Sequence, residues 1–155
     1  MTRLTKITAL SLAGALIATL AAAQQDPLAA AVKARQSHMG LYSFNLGQLG
    51  AMAQGNVSFD AAVAQAAADN LVLLSSANQM AYWPAGTERG TFAGESRALP
   101  ALWENMEDVI AKSGALNAGA LAMQAAAGTL EGVQGAMGGI GGACGACHEA
   151  YRFSE

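Results

Sequence analysis

Cys144, Gly145, Ala146, Cys147 and His148 carry more potential chemistry than any other stretch of the chain. Two thiols three positions apart stand on one side of a helical turn, with an imidazole beside the second. Thiols so placed can add to the two vinyl groups of one haem, and the imidazole is a recognised axial donor to its iron. C-x-x-C-H therefore reads as a c-type haem attachment site. The same pair could instead be a dithiol, a disulfide or half of a zinc site. Zinc needs further Cys or His ligands, and the only other histidine is His38. A thioredoxin-like pair would sit near a βαβ pattern, which this sequence does not show. Both cysteines lie in the motif, so no structural disulfide is left to find.

The elements that must position these groups are helices. Ala, Leu, Met and Gln are abundant, and the β-branched residues that strands favour are scarce. The spacing predicts a first helix from about Pro27 to Ala53, stopped by Gly55-Asn56, with an apolar stripe of Val32, Met39, Tyr42, Leu46, Leu49 and Met52. A second helix begins near Ser58 or Asp60 and runs to about Met80, with Phe59, Val63, Leu71 and Leu74 on its buried side. Residues 82–99, containing Trp83-Pro84-Ala85-Gly86, form the longest irregular stretch and read as a loop over one end of the molecule.

A third helix starts around Pro100, and Leu102, Met106, Val109, Ser113, Leu116, Ala120 and Met123 give it a near-heptad stripe. The fourth runs continuously from a Thr129 cap to Tyr151 and carries the motif near its end. Its seven glycines from Gly132 to Gly145 each cost about 1 kcal/mol of helix propensity against Ala. Close approach of a flat ring or of another backbone would offset that cost. The expected fold is all-α, an antiparallel four-helix bundle with cofactor space in its core.

The N-terminus has the pattern of a secretory signal peptide over residues 1–23. Arg3 and Lys6 precede an apolar stretch from Ile7 to Leu20, and Ala21-Ala22-Ala23 supplies the cleavage signal. The apolar part is short of the about 20 residues that span a membrane. Residues 24–155 then form one domain, and losing two cations takes the formal net charge from −3 to −5. An acidic surface without a basic cluster argues against nucleic acid or an anionic membrane as partner. Only Lys33 and Lys112 remain as lysines, which excludes a lysine-ringed docking face.

The chain resembles the cytochrome c′ family, the class II c-type cytochromes, over essentially all of the expected mature sequence. The likeness rests on the four-helix pattern, the C-terminal motif followed by Tyr151-Arg152, Val32-Lys33-Ala34-Arg35-Gln36 near the start, Pro84-Ala85-Gly86-Thr87 in the loop, and Leu102-Trp103. The resemblance implies one covalent haem c held by Cys144 and Cys147, with His148 as proximal ligand and Arg35 beside a haem propionate. It also implies that the residue four after Arg35 faces the distal side of the haem. High-spin members carry a non-ligating Phe, Leu or Tyr there. Here it is Met39, one turn from Arg35 on the same helical face, and a thioether there makes a His/Met pair that raises the reduction potential. His38 lies about 100° around the helix from Met39 and is expected to flank the pocket or face solvent.

The function expected from these residues is a periplasmic monohaem electron carrier. No nucleophile–base pair, phosphate loop or second metal cluster suggests an enzyme. A high-spin, five-coordinate protein that binds nitric oxide or carbon monoxide is the alternative, and an interaction module without haem would leave the motif unexplained. Redox partner proteins are not legible, and the helix surfaces neither require nor forbid a homodimer.

Overall fold

The computed structural model describes residues 26–154, so the segment expected to be a signal peptide lies outside the described residues. Helix α1 spans Pro27–Ala53. The Asp26 side chain accepts from the Leu28 N–H at 3.0 Å, Pro27 opens the first turn, and Gly55 at φ 73° ends the run. Helix α2 spans Ala61–Ser76 behind Asp60, whose Oδ1 accepts from Ala62 N at 2.9 Å and Val63 N at 3.1 Å. It stops short of the expected Met80. Ala77 turns to extended backbone (ψ 140°) and Asn78 Oδ1 takes the Met80 N–H at 3.1 Å, which starts a separate 3-10 turn over Met80–Tyr82.

The expected third helix is two helices, α3 (Ala101–Glu104) and α4 (Met106–Ala126). Asn105 causes the break. Its side-chain amide donates to the Ala101 carbonyl at 2.8 Å, while its backbone leaves the helical region at φ −128°, ψ 44°. Helix α5, Leu130–Tyr151, is continuous, capped by Thr129 Oγ1 accepting from Gly132 N at 3.1 Å.

The long helices pack in a ring, α1 on α2, α2 on α4, α4 on α5 and α5 back on α1, with the last pair meeting least. Cross-contacts run in opposite directions along neighbouring helices: His38 of α1 meets Leu74 of α2 while Asn45 meets Asn70, and Asp108 of α4 meets Tyr151 of α5 while Gly119 meets Ile140. Asn117 reaches Ser75 while Gln124 reaches Asp69, Gln134 bonds the Ala53 carbonyl, and Leu99, two residues before α3, bonds the Tyr151 carbonyl. The architecture is an antiparallel four-helix bundle. Its fully buried centre includes Leu49, Leu71, Met123, Val133 and Ile140, and the large aliphatic side chains there stabilise by about 1.5–3 kcal/mol each.

Val63, expected inside, faces out. Helix α2 instead buries Ala64, Ala67, Ala68 and Leu71, a small-residue face that lets its neighbours close in. A Cβ on Gly135, Gly138, Gly139, Gly141 or Gly142 would meet no atom within 4 Å. The close helix approach is at Gly119 of α4, where a Cβ would stand 3.3 Å from Ile140 N.

The loop of residues 83–99 is tied down at both flanks. The Arg35 guanidinium donates to Tyr82 O, to Thr87 Oγ1 and O, and to Ser96 Oγ, at 3.0–3.4 Å. On the other side Ala98 pairs with Arg152, and Phe153 N donates to Arg97 O at 2.8 Å. Among the described residues no helix is long and apolar enough to cross a membrane.

Candidate functional site

Where α1 and α5 separate, α4 and the loop complete a cavity of about 710 Å³, within the range of sites for small molecules and cofactors. Met39, Tyr42 and Leu46 line it from α1, Met106, Val109, Lys112 and Leu116 from α4, and Cys144, Cys147 and His148 from α5. Gln79, Met80 and Trp83 close one side. The four groups singled out as sulfur and imidazole donors, Met39, Cys144, Cys147 and His148, thus share one space.

The chemistry of the α5 wall fits covalent haem attachment. Both cysteines are free thiols, half-buried. Burial raises the pKa of Cys144, and burial likewise raises that of Cys147 despite the nearby Lys112 ammonium. Neutral S–H groups are the form that adds across a vinyl double bond, the hydrogen going to one carbon and the sulfur to the other. Burial, aided by the Arg152 charge, lowers the His148 pKa and keeps an imidazole lone pair for a metal. Among the described residues no three His, Cys, Asp or Glu side chains converge on a metal-sized site, so the zinc alternative lacks its further ligands.

Arg35 stands on the loop side, behind Trp83. It is 5% exposed, is not part of the cavity lining, and lies 4.6 Å from the Trp83 ring centroid. Its two terminal nitrogens serve the loop, which leaves Nε–H without an acceptor among the described residues. His38 neither flanks the cavity nor faces solvent. It is buried, 5.0 Å from the Tyr42 ring and 5.7 Å from the Tyr82 ring, with Nε2 3.1 Å from Leu74 O.

Tyr42, Gln79 and Lys112 were not legible as site residues. Tyr42 read as one more member of an apolar stripe, although its place three residues after Met39 on the same face is a usable signal. Burial pushes the Tyr42 hydroxyl pKa up, opposed by the Gln79 hydrogen bond and reinforced by Cys144.

A family model described as Cytochrome C′ matches residues 30–152. Cytochrome c-554 of Cereibacter sphaeroides is 43% identical over 148 residues, covering 94% of this chain and 96% of that protein. A solved cytochrome c′ from Rhodobacter Spheriodes superimposes with a TM-score of 0.79 at 31% identity, over 83% of this chain and 98% of that one. A nitric oxide complex of a cytochrome c prime mutant from Alcaligenes xylosoxidans matches with a TM-score of 0.71 at 31% identity, over 83% and 97% of the two chains. Such coverage, on a bundle whose cavity wall carries the attachment motif, places this chain in the cytochrome c′ family as a monohaem c-type cytochrome with one covalent haem c.

Proposed function

We propose that the protein is an exported electron carrier whose haem is bound through Cys144 and Cys147, with His148 as proximal and Met39 as distal ligand. The observation that carries this reading is the shared cavity of Met39 on α1 and His148 on α5. A bound haem supplies a one-electron ferric–ferrous couple. The chain contributes a soft thioether from Met39, which favours the reduced state, a largely apolar wall that keeps water out, and the Nε–H of Arg35 for a propionate. It is a carrier rather than an enzyme. Export follows from the pattern of residues 1–23, with cleavage after Ala23 and a periplasmic location.

Ferric and ferrous absorption spectra of the holoprotein test this reading. The wild type is expected to be low-spin, with the long-wavelength band of a sulfur–iron bond. Met39→Leu keeps volume and apolarity, costs less than about 1.5 kcal/mol, and should become high-spin with a lower potential. A wild type that is already high-spin, with a spectrum unmoved by the substitution, overturns the Met39 assignment.

A second reading is then favoured, that of a five-coordinate protein binding nitric oxide or carbon monoxide. It is supported by the solved Alcaligenes xylosoxidans cytochrome c prime variants that hold carbon monoxide or nitric oxide. A homodimer also belongs to this proposal. Phe44 on α1 is 65% exposed and lines one surface groove with the exposed Val57 and Val63, and a related cytochrome c′ is described by its ligand-controlled dimer dissociation.

A further inference from the structure

Tyr42 is 5% exposed and lines the cavity, yet its hydroxyl hydrogen has no acceptor among the described residues. The hydrogen-bond pattern around it fixes this. Gln79 Nε2 lies 3.5 Å from Leu74 O and 3.4 Å from Tyr42 Oη. A backbone carbonyl only accepts, so the nitrogen end of the Gln79 amide is the end that faces both oxygens. Tyr42 Oη therefore accepts from Gln79 and keeps its own O–H to donate. A buried tyrosine hydroxyl ordinarily finds such a partner, and both Tyr42 and the Gln79 that bonds it line the cavity.

The ring is held in place. His38 meets it edge-on at 5.0 Å with the planes at 81°. The same Leu74 carbonyl lies within bonding distance of both His38 Nε2 and Gln79 Nε2, so two neighbours of the ring share one anchor. Side chains on a helix lean toward its N-terminus, which carries Tyr42 back over the turn that bears Met39. Tyr42, Met39 and Cys144 pack in one cluster.

We propose that Tyr42 is the hydrogen-bond donor of the Met39 side of the cavity and selects small ligands by their acceptor strength, favouring anionic ones such as cyanide over nearly apolar ones such as carbon monoxide. This rests on the haem site described above. The donor is a positioning residue. It gains only when an occupant on that side presents an electron-rich atom, so it discriminates between ligands of equal size.

The test uses the holoprotein. Ferric wild type, Tyr42→Phe, Met39→Leu and the double variant are titrated with cyanide, and the ferrous forms are examined under carbon monoxide by infrared spectroscopy. Tyr42→Phe keeps the ring and its contact with His38. In the Met39→Leu background it is expected to raise the cyanide dissociation constant about tenfold, as loss of one hydrogen bond to a charged acceptor does. The C–O stretch should move to higher frequency, because the donor no longer draws charge onto the oxygen. The unmodified residue gives a second readout. Transfer to heavy water shifts that stretch when an exchangeable proton bonds the ligand. Unchanged cyanide affinity, an unmoved stretch and no solvent-isotope shift overturn the proposal. Met39→Leu leaving cyanide affinity unchanged overturns the Met39 assignment alone, and the Tyr42 comparison in the wild-type background still decides the donor.

Discussion

The Tyr151 hydroxyl lies 2.5 Å from Asp108 Oδ2, and the same carboxylate holds Lys112 Nζ at 3.2 Å. This contact ties α4 to the last residue of α5, three positions after His148. It fixes the turn that presents Cys147 and His148 to the cavity, since Tyr151 packs with Cys147, Trp83 and Trp103.

The pair makes stability depend on alkaline pH. The hydrogen bond to Asp108, then burial, pushes the Tyr151 pKa up to about 12. A raised tyrosine pKa means the folded state holds the proton more tightly than the unfolded one. The stabilisation is complete below pH 10 and is lost as pH climbs toward 12. Thermal midpoints measured from pH 8 to 12 should fall over that window in the wild type and more shallowly in Tyr151→Phe. Parallel curves for the two proteins contradict the assignment.

Serine at both Cys144 and Cys147 should abolish covalent attachment, leaving haem that acid–acetone extracts, while either single change leaves one thioether. A cofactor no longer bonded to α5 is held only by its contacts with the cavity walls, and wherever it leaves that space unfilled the apolar lining loses packing, so the double variant should be less stable. A double variant as stable as the wild type, measured by urea unfolding, would contradict the cofactor's place in the core.

Arg35→Ala removes the side chain that three loop oxygens and the Tyr82 carbonyl share. Thr87 O still accepts from Ser96 Oγ, and Ser96 Oγ from Ala98 N, whereas Tyr82 O and Thr87 Oγ1 lose their donor; stability should fall by about 1–3 kcal/mol, and limited proteolysis should cut sooner between residues 84 and 96. If Nε–H meets a propionate, the potential also falls, because a cation near the haem disfavours the ferric charge. A slower or unchanged cleavage rate contradicts the pinning role.

Two glycines of α5 should respond in opposite senses to alanine. A Cβ on Gly132 would overlap the Ala126 carbonyl oxygen, so Gly132→Ala should cost about 1–3 kcal/mol. Gly138 has open space around it, and Gly138→Ala should stabilise by about 1 kcal/mol through helix propensity. Chemical denaturation separates the two, and equal effects would mean the α4–α5 turn tolerates the added methyl.

The bundle and its motif helix were legible because caps and periodicity are local. Pro27 opens α1 and Thr129 caps α5 where the sequence suggests, and of Ser58 and Asp60 it is Asp60 that caps α2. The break at Asn105 was not legible, since it depends on a side chain outbidding the backbone for the Ala101 carbonyl. Val63 was misread because an alanine face, rather than the larger residues, turned inward on α2. Met39, Cys144, Cys147 and His148 were expected around one haem and line one cavity, whereas Tyr42 looked apolar by position and Lys112 was read only as one of two remaining lysines. Arg35 was foreseen as a charge beside the cofactor, but its bonds to a loop more than forty residues away in sequence could not be seen.

The sparse meeting of α1 with α5 also bears on how the molecule is assembled. The other three sides of the ring join helices that are neighbours in the chain, whereas α1 and α5 are its two ends, the costliest closure in loop entropy. The wall that needs the longest reach is thus the one with the fewest direct contacts of its own. A group bonded to α5 and touching α1 acts there as a clasp. A group seated between α1 and α5 would therefore supply contacts that the two ends of the chain do not make with each other directly.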